Sequence, residues 1–350
     1  MFERLAPEQY DSIPGVPEPS ENPRLIGHEE EARLLAATYR AGRLHHAILL
    51  AGPFGIGKAT FAFRLAHHLL KHPRAAEAPE TFENADVGSA LYRQIAGGSH
   101  PSILHLTRPF DDKRKVFRTV VTVEEIRRVN RFLSMTAHDG GYRVVIVDPA
   151  DDMNTNAANA LLKSLEEPPS RTVFLLISHS PGRLLPTIRS RCQTVRLKPL
   201  DAQSLRAVLQ VLETDLPSEP AALDALAGRA QGSARTAILL TQFGGLEIGG
   251  VLEGILAASR FDVAEAARLA DAVSGRDQAI QFGIFNRLTL DAVADAADRA
   301  ASAGEIERAG RLSDLWSEAN EKILETDVYN LDRKQHAVGL LGRMHELMRG

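Results

Sequence analysis

Hydrophobic positions along this 350-residue chain fall into two regimes. Up to about residue 200, short apolar runs alternate with stretches whose apolar residues recur every three or four positions. Beyond Pro199 the short runs stop and only the helical period continues. Alternating strand and helix signals predict a parallel sheet covered by helices. The strands are expected at Ala47 to Leu50, Ser102 to Thr107, Arg143 to Asp148, Thr172 to Ser178 and Gln193 to Leu197. Three of these are nearly continuous apolar runs, as in strands buried on both faces.

Two helices are marked by their ends. Thr122 and Glu125 have the spacing of a capping box, and Ile126, Val129, Phe132 and Leu133 share a face, which predicts a helix over Val123 to Leu133. Ala158, Leu161, Leu162 and Leu165 predict a second helix from about Asn156 to Glu167, stopped by Pro168-Pro169. The segment Ala75 to Ser99 is polar and weakly patterned, an insertion between the first strand's helix and the second strand. The helical remainder is broken near Pro217 to Pro220, Gly244 to Gly250 and Ser274-Gly275. No repeat of solenoid period is visible. These breaks divide the chain into an extended or disordered arm at 1–21, an α/β domain at 22–198, a small helical domain at 199–243 and a larger one at 244–350.

Composition narrows the class without choosing a function. The chain is 44% hydrophobic and 25% charged, as in ordinary globular proteins. A net charge of -4 excludes a molecule that wraps nucleic acid with a basic surface, so DNA contact needs a local patch or an assembly. A single cysteine, Cys192, excludes a disulfide framework and a multi-cysteine zinc site and fits a reducing cytoplasm. Residues Met1 to Glu21 carry four prolines among acidic residues and do not read as a signal peptide. No stretch approaches the roughly 18 to 20 apolar residues of a membrane span.

The first chemical signal follows the first strand. Gly52-Pro53-Phe54-Gly55-Ile56-Gly57-Lys58 leads into a helix over Ala59 to Leu70, giving strand, glycine loop and helix in the order a P-loop requires. Gly52, Gly55 and Gly57 let backbone N–H groups curl around an anion at a helix N-terminus, and Lys58 reaches the terminal phosphates as a point charge. The next position is Ala59 where the pattern asks for Ser or Thr, so the Mg²⁺-holding hydroxyl is missing; Thr60 comes one residue late. The strand Val144-Val145-Ile146-Val147-Asp148 supplies an acidic residue, with Asp148 as magnesium partner. In ATP-hydrolysing relatives a glutamate follows to polarise the attacking water, and here Pro149 stands there, with Asp151 and Asp152 at other positions in the turn.

Four segments together carry a resemblance: Gly52 to Thr60, Asp148 with Asp151-Asp152-Met153-Asn154, Asn159 to Pro169 (NALLKSLEEPP), and Ser190-Arg191-Cys192. They resemble the bacterial clamp-loader ATPases of the AAA+ class, strongly over about residues 22–200. Ala59 and Pro149 point to the non-motor members of that family rather than to its motor. The resemblance implies an AAA+ P-loop domain, a helical lid and an all-α C-terminal collar. It implies ATP at Gly52, Gly55, Gly57, Lys58, Thr60 and Asp148, bound without efficient hydrolysis, with Mg²⁺ possible beside it. Arg191 becomes an arginine finger acting in trans, and Arg235, in Gly232-Ser233-Ala234-Arg235, matches the sensor-2 position, although a helix-surface arginine reads equally well. The polar residue of sensor 1 is only weakly matched at Ser178 to Ser180.

The implied partners are the delta and gamma/tau subunits of a hetero-pentameric ring, with the sliding clamp and primed DNA reached through the complex, no membrane and no zinc. Many members carry four zinc-binding cysteines after the first helix; Ala75 to Ser99 has none. The implied chain is a non-catalytic subunit of the polymerase holoenzyme, in the cytoplasm. An active AAA+ ATPase, either the motor subunit or another DNA-remodelling enzyme, is the alternative.

The remaining features read more plainly. His67, His68 and His72 are expected on a helix surface, without the partners a metal site needs. Lys113, Arg114, Lys115 and Arg118, and Arg127, Arg128 and Arg131, read first as solvated faces, with the DNA backbone as their other reading. Leu312, Leu315 and Trp316, continued by Leu324, are expected on one core-facing stripe.

Overall fold

A computed structural model describes residues 4–135, 141–212, 220–329 and 331–349. The chain divides into two compact units, residues 1–213 with 217–236, and 214–216 with 237–350.

The first unit is built on a five-stranded sheet of β1 (Ala47–Ala51), β2 (Ile103–Leu106), β5 (Arg143–Val147), β6 (Thr172–Ser178) and β7 (Gln193–Arg196). A two-residue hairpin of β3 (Phe110–Asp111) and β4 (Val116–Phe117) stands apart. The sheet order is β2-β5-β6-β1-β7 with every pairing parallel, so β1 sits between the fourth and fifth strands of the sheet in chain order. All five predicted strands are present within one or two residues. Every residue of β1, β5 and β6 is buried, which is why their sequences are apolar almost without interruption.

The pleat sorts those residues between two cores. Ile48, Leu50, Val144, Ile146, Leu175 and Ile177 face α1 (Glu29–Arg40) and α2 (Lys58–Lys71). Ala47, Leu49, Val145, Val147, Phe174 and Leu176 face α4 (Val123–Ser134) and α5 (Thr155–Glu166). The capping box forms as its spacing predicts: the Thr122 N–H donates to the Glu125 carboxylate at 2.9 Å, and Ile126, Val129 and Phe132 are buried. Asn154 caps α5 by accepting the Ala157 N–H at 2.9 Å.

Two expectations change here. Residues 75–99 carry a short helix, α3 (Ala90–Ala96), capped by Ser89, whose Tyr92, Ile95 and Ala96 are buried. A seven-residue helix offers too few turns for its period to show in the sequence. The N-terminal arm, described from Arg4, is folded rather than extended or disordered. The Glu21 carboxylate accepts the Leu5 N–H at 2.6 Å and the Glu18 N–H at 2.7 Å, while the Tyr92 hydroxyl donates to the Glu21 carbonyl. The insertion is therefore the platform on which the arm rests. The unit is completed by α6 (Pro186–Arg189), α7 (Ala202–Val211), α8 (Pro220–Ala230) and the start of α9 (Ala234–Gln242).

The second unit is helical: the rest of α9, then α10 (Gly245–Ala257), α11 (Val263–Ser274), α12 (Ala279–Ser302), α13 (Ile306–Tyr329) and α14 (Arg333–Arg349). Its core takes residues at helical spacing from each, such as Leu252 and Ile255, Leu269 and Val273, Leu312 and Leu315, and Leu341 and Met344. The expected break over Gly244 to Gly250 shrinks to Gly244 alone, whose φ of 74° ends one helix and starts the next; Gly249 and Gly250 lie inside α10. Ser274 ends α11 as expected. Of the break at Pro217 to Pro220, all but Pro220 falls outside the described residues. Trp316 leaves the stripe, 38% exposed beside buried Leu315, because adjacent helical residues point about 100° apart; the Leu324 side chain lies outside the described residues. Among the described residues no single helix is long and apolar enough to cross a membrane.

Candidate functional site

The site forms at the C-terminal ends of β1, β5 and β6, where ligands of open parallel sheets bind. Gly52 leaves β1 bonded to β6, its N–H donating to the Ser178 carbonyl at 3.2 Å. A Cβ there would lie 2.4 Å from the Leu197 carbonyl oxygen, so the turn is open only to glycine. Gly55 and Gly57 hold φ of 78° and 99°, the left-handed conformation that points successive N–H groups into one concavity. α2 starts directly at Lys58, with Gly57 as its N-cap.

Lys58 is buried at the base of the loop, where its Nζ donates to the carbonyls of Gly52 at 2.7 Å and Pro53 at 2.5 Å. Loss of water pushes its pKa down to about 8, against the attraction of Asp148 and Asp151. Asp148 lies at the end of β5, its N–H donating to the Leu106 carbonyl at 2.8 Å. Its carboxyl is pushed up to about 7, first by burial and then by Asp11, with Lys58 acting in the opposite sense. Burial thus outweighs the attraction between the two groups.

Both acidic residues after Pro149 are engaged. Asp151 accepts the Ser178 hydroxyl at 2.7 Å and the His179 N–H at 2.5 Å, and Asp152 pairs with Arg108 at 2.5 Å. Neither carboxylate takes the place of a glutamate at 149. Thr60 lies two residues into α2 from Lys58, about 100° around the helix from Ala59. The residues present fit an anion: a buried ammonium, a glycine cradle and a helix N-terminus. For a divalent cation the donor set is thin, since Ala59 has no oxygen and Asp148 is held near neutrality.

Arg235 joins this site. A turn through Gln231 and Gly232, both at positive φ, brings α9 back so that the Arg235 N–H donates to the Gly55 carbonyl at 3.3 Å. Its guanidinium lies 5.3 Å from the centre of the Phe54 ring and 3.6 Å from the Asp11 carboxylate, and it also donates to the Asp11 carbonyl. Its side chain is thus partly buried and engaged by the arm.

Arg191 lies elsewhere on the same unit, between α6 and β7. Its side chain is 34% exposed, donates to the Thr187 carbonyl at 2.9 Å and pairs with Glu166 at the end of α5. The NALLKSLEEPP segment and the Ser-Arg-Cys triplet therefore meet through Glu166 and Arg191.

Four site residues had escaped the sequence reading. Tyr10 and Asp11 come from the arm, with Arg108 stacked 4.2 Å from the Tyr10 ring centre. Nothing local in the sequence signals contacts spanning this many residues. His179 follows β6, packs edge-on against Phe54 at 4.8 Å, and has neither ring nitrogen hydrogen-bonded. Burial, then Lys58 and Arg108, push its pKa down to about 3, so the ring is neutral. Its place at the end of a central strand was the available signal. The histidines of α2 also differ from expectation. His67 and His68 are buried, beside Arg64 and against Tyr39 and Phe82, and burial pushes both pKa values down to about 4. The insertion covers the face of α2 that the sequence alone leaves open.

A glycine cradle with a buried lysine, an acidic strand end and an arginine from a following helical segment, at one end of a parallel sheet, define a phosphate-binding P-loop fold. The family model described as "DNA polymerase III, delta subunit" matches residues 27–201, half of the chain, and the chain belongs to that family. It is 43% identical over 194 residues to a Pseudomonas aeruginosa protein named DNA polymerase III subunit delta', a match spanning 55% of this chain and 54% of that one. It is 34% identical over 191 residues to the Bacillus subtilis protein of the same name, spanning 55% of this chain and 53% of that one. It is also 32% identical over 220 residues to Escherichia coli DNA polymerase III subunit tau, spanning 62% of this chain and 32% of that one. The matches thus span about half the length of the delta' relatives. A solved Thermotoga maritima gamma-subunit-related protein is similar at TM-score 0.46 and 17% identity, over 91% of this chain and 99% of that chain.

Proposed function

We propose that this chain works as the delta' subunit of a bacterial DNA polymerase III clamp loader. In this reading it joins delta and gamma/tau subunits in a five-membered cytoplasmic ring that loads the sliding clamp onto primed DNA, hydrolyses little or no ATP itself, and offers Arg191 to the ATP site of a neighbouring motor subunit. Family membership supports the reading. One observation carries it: a well-formed phosphate cradle lacks both the hydroxyl at Ala59 and the base at Pro149, while Arg191 stands partly exposed on the same unit. ATP, where it binds, would lie on Gly52 to Lys58 with Arg235 beside it. The chemistry this chain supplies there is charge: Lys58 and Arg235 hold phosphate oxygens, and no side chain at 149 takes a proton from water.

Reconstitution tests this. Delta and motor subunits assembled with the full chain are expected to load clamps onto primed DNA in an ATP-dependent manner, and the same mixture without the chain is expected to fail. Equal loading with and without it would overturn the proposal.

A further inference from the structure

The arm ends its path in the phosphate site. Its base is closed by Glu21, which holds the Leu5 and Glu18 N–H groups, and by Arg4, which pairs with Glu18 at 3.2 Å and donates to the carbonyls of Ile13 at 2.8 Å and Val16 at 3.1 Å. The chain between these ties is a compact loop of the Ω kind. Ile13, 6% exposed, anchors its inner side, and its tip is Gln9 to Ser12.

The tip meets the groups that define the site. Asp11 presents both its carboxylate and its carbonyl to Arg235. The same carboxylate lies within electrostatic reach of Asp148, and the Tyr10 ring, under Arg108, is within reach of Asp148 and Asp152. From Asp11 the contacts continue through Arg235 to Phe54 of the glycine loop and from Phe54 to His179. An anion paired with Arg235 beside the cradle is the arrangement a nucleotide phosphate would otherwise make with that guanidinium. Two anions cannot both occupy it without strong repulsion.

We propose that Tyr10 and Asp11 are an intramolecular occupant of the phosphate site: Asp11 takes Arg235 in place of a nucleotide phosphate, and nucleotide enters only when the tip of the arm lifts. The inference rests on the reading of Gly52 to Lys58 as a nucleotide site. Lifting breaks the bond from the Ser12 hydroxyl to the Glu18 carboxylate but leaves the bonds to Glu21, which lie outside the tip. The site is then regulated by whatever holds or releases residues 9–12, independently of hydrolysis.

Binding of a fluorescent ATP analogue to the full chain tests this. A tip closed nine-tenths of the time weakens apparent affinity about tenfold. The Tyr10→Ala/Asp11→Ala variant is therefore expected to bind about tenfold or more tightly than the wild type, and adding Lys58→Ala is expected to abolish that binding. Equal, Lys58-dependent binding by wild type and variant would overturn the occupant role and leave the nucleotide site standing. No binding by either would overturn both. Hydrogen exchange on the wild type gives an independent reading. The Gln9 N–H, bonded to the Ser12 hydroxyl at 2.7 Å, and the Ser12 N–H, bonded to the Gln9 carbonyl at 3.2 Å, should exchange faster with saturating ATP, while the Leu5 N–H at the base should not. Unchanged tip exchange with nucleotide bound would sink the proposal.

Discussion

Arg191→Ala, assembled with delta and motor subunits, is expected to lower the single-turnover rate of ATP hydrolysis at the motor site it faces by about 10³-fold or more, the range that arginine fingers contribute. The fold should be almost indifferent. Arg191 is a third exposed, and its pairing with Glu166 is a surface ion pair of the kind worth about 0 to 1 kcal/mol. A large kinetic loss with an unchanged unfolding midpoint separates a role on the neighbour from a role in this chain. Arg191→Lys should recover little, because an ammonium lacks the planar fork that engages two phosphate oxygens together. Wild-type turnover by the Arg191→Ala assembly would show that the finger lies elsewhere.

Asp148→Asn is expected to stabilise the isolated chain, increasingly so as pH rises from about 4 to 7. The Asp148 pKa is raised from 3.8 to about 7, so between those values the folded chain holds a proton that the unfolded chain has released. Stability from this group is fully present below about pH 4 and is lost as pH climbs to about 7. Asparagine, neutral throughout, escapes the loss. At 1.36 kcal/mol per pH unit the displacement sets a ceiling of about 4 kcal/mol, and roughly 2 to 4 kcal/mol is expected at pH 7.5. Urea midpoints of the two proteins at pH 5 and pH 7.5 measure it. A gap that stays constant or narrows with pH would mean that Asp148 is ionised in the folded chain at neutral pH.

What could be read from the sequence followed from local physics. The parallel sheet was visible because β1, β5 and β6 are buried on both faces and so are apolar without interruption. α4 was visible because Thr122 and Glu125 satisfy each other within one turn. Gly52 to Lys58 was visible because an anion cradle needs its glycines at fixed positions. The features that escaped depend on distant parts of the chain. His67 and His68 are buried by an insertion whose own helix is too short to show a period. Asp11 finds Arg235 across more than two hundred residues, and no property of the arm's prolines and acids marks that contact. Gly244 alone breaks a helix where several glycines suggested a longer interruption, since glycine permits a left-handed turn without requiring one. Trp316 followed the period by one residue too many.

The central claim is that this P-loop is not a hydrolytic site. ATP turnover by the purified full chain, alone, tests it most directly, with Lys58→Ala prepared in parallel to expose any contaminating ATPase. The wild-type rate should be indistinguishable from that of Lys58→Ala, because Ala59 and Pro149 leave neither a hydroxyl for magnesium nor a base for water. Robust turnover that disappears in Lys58→Ala would contradict the account.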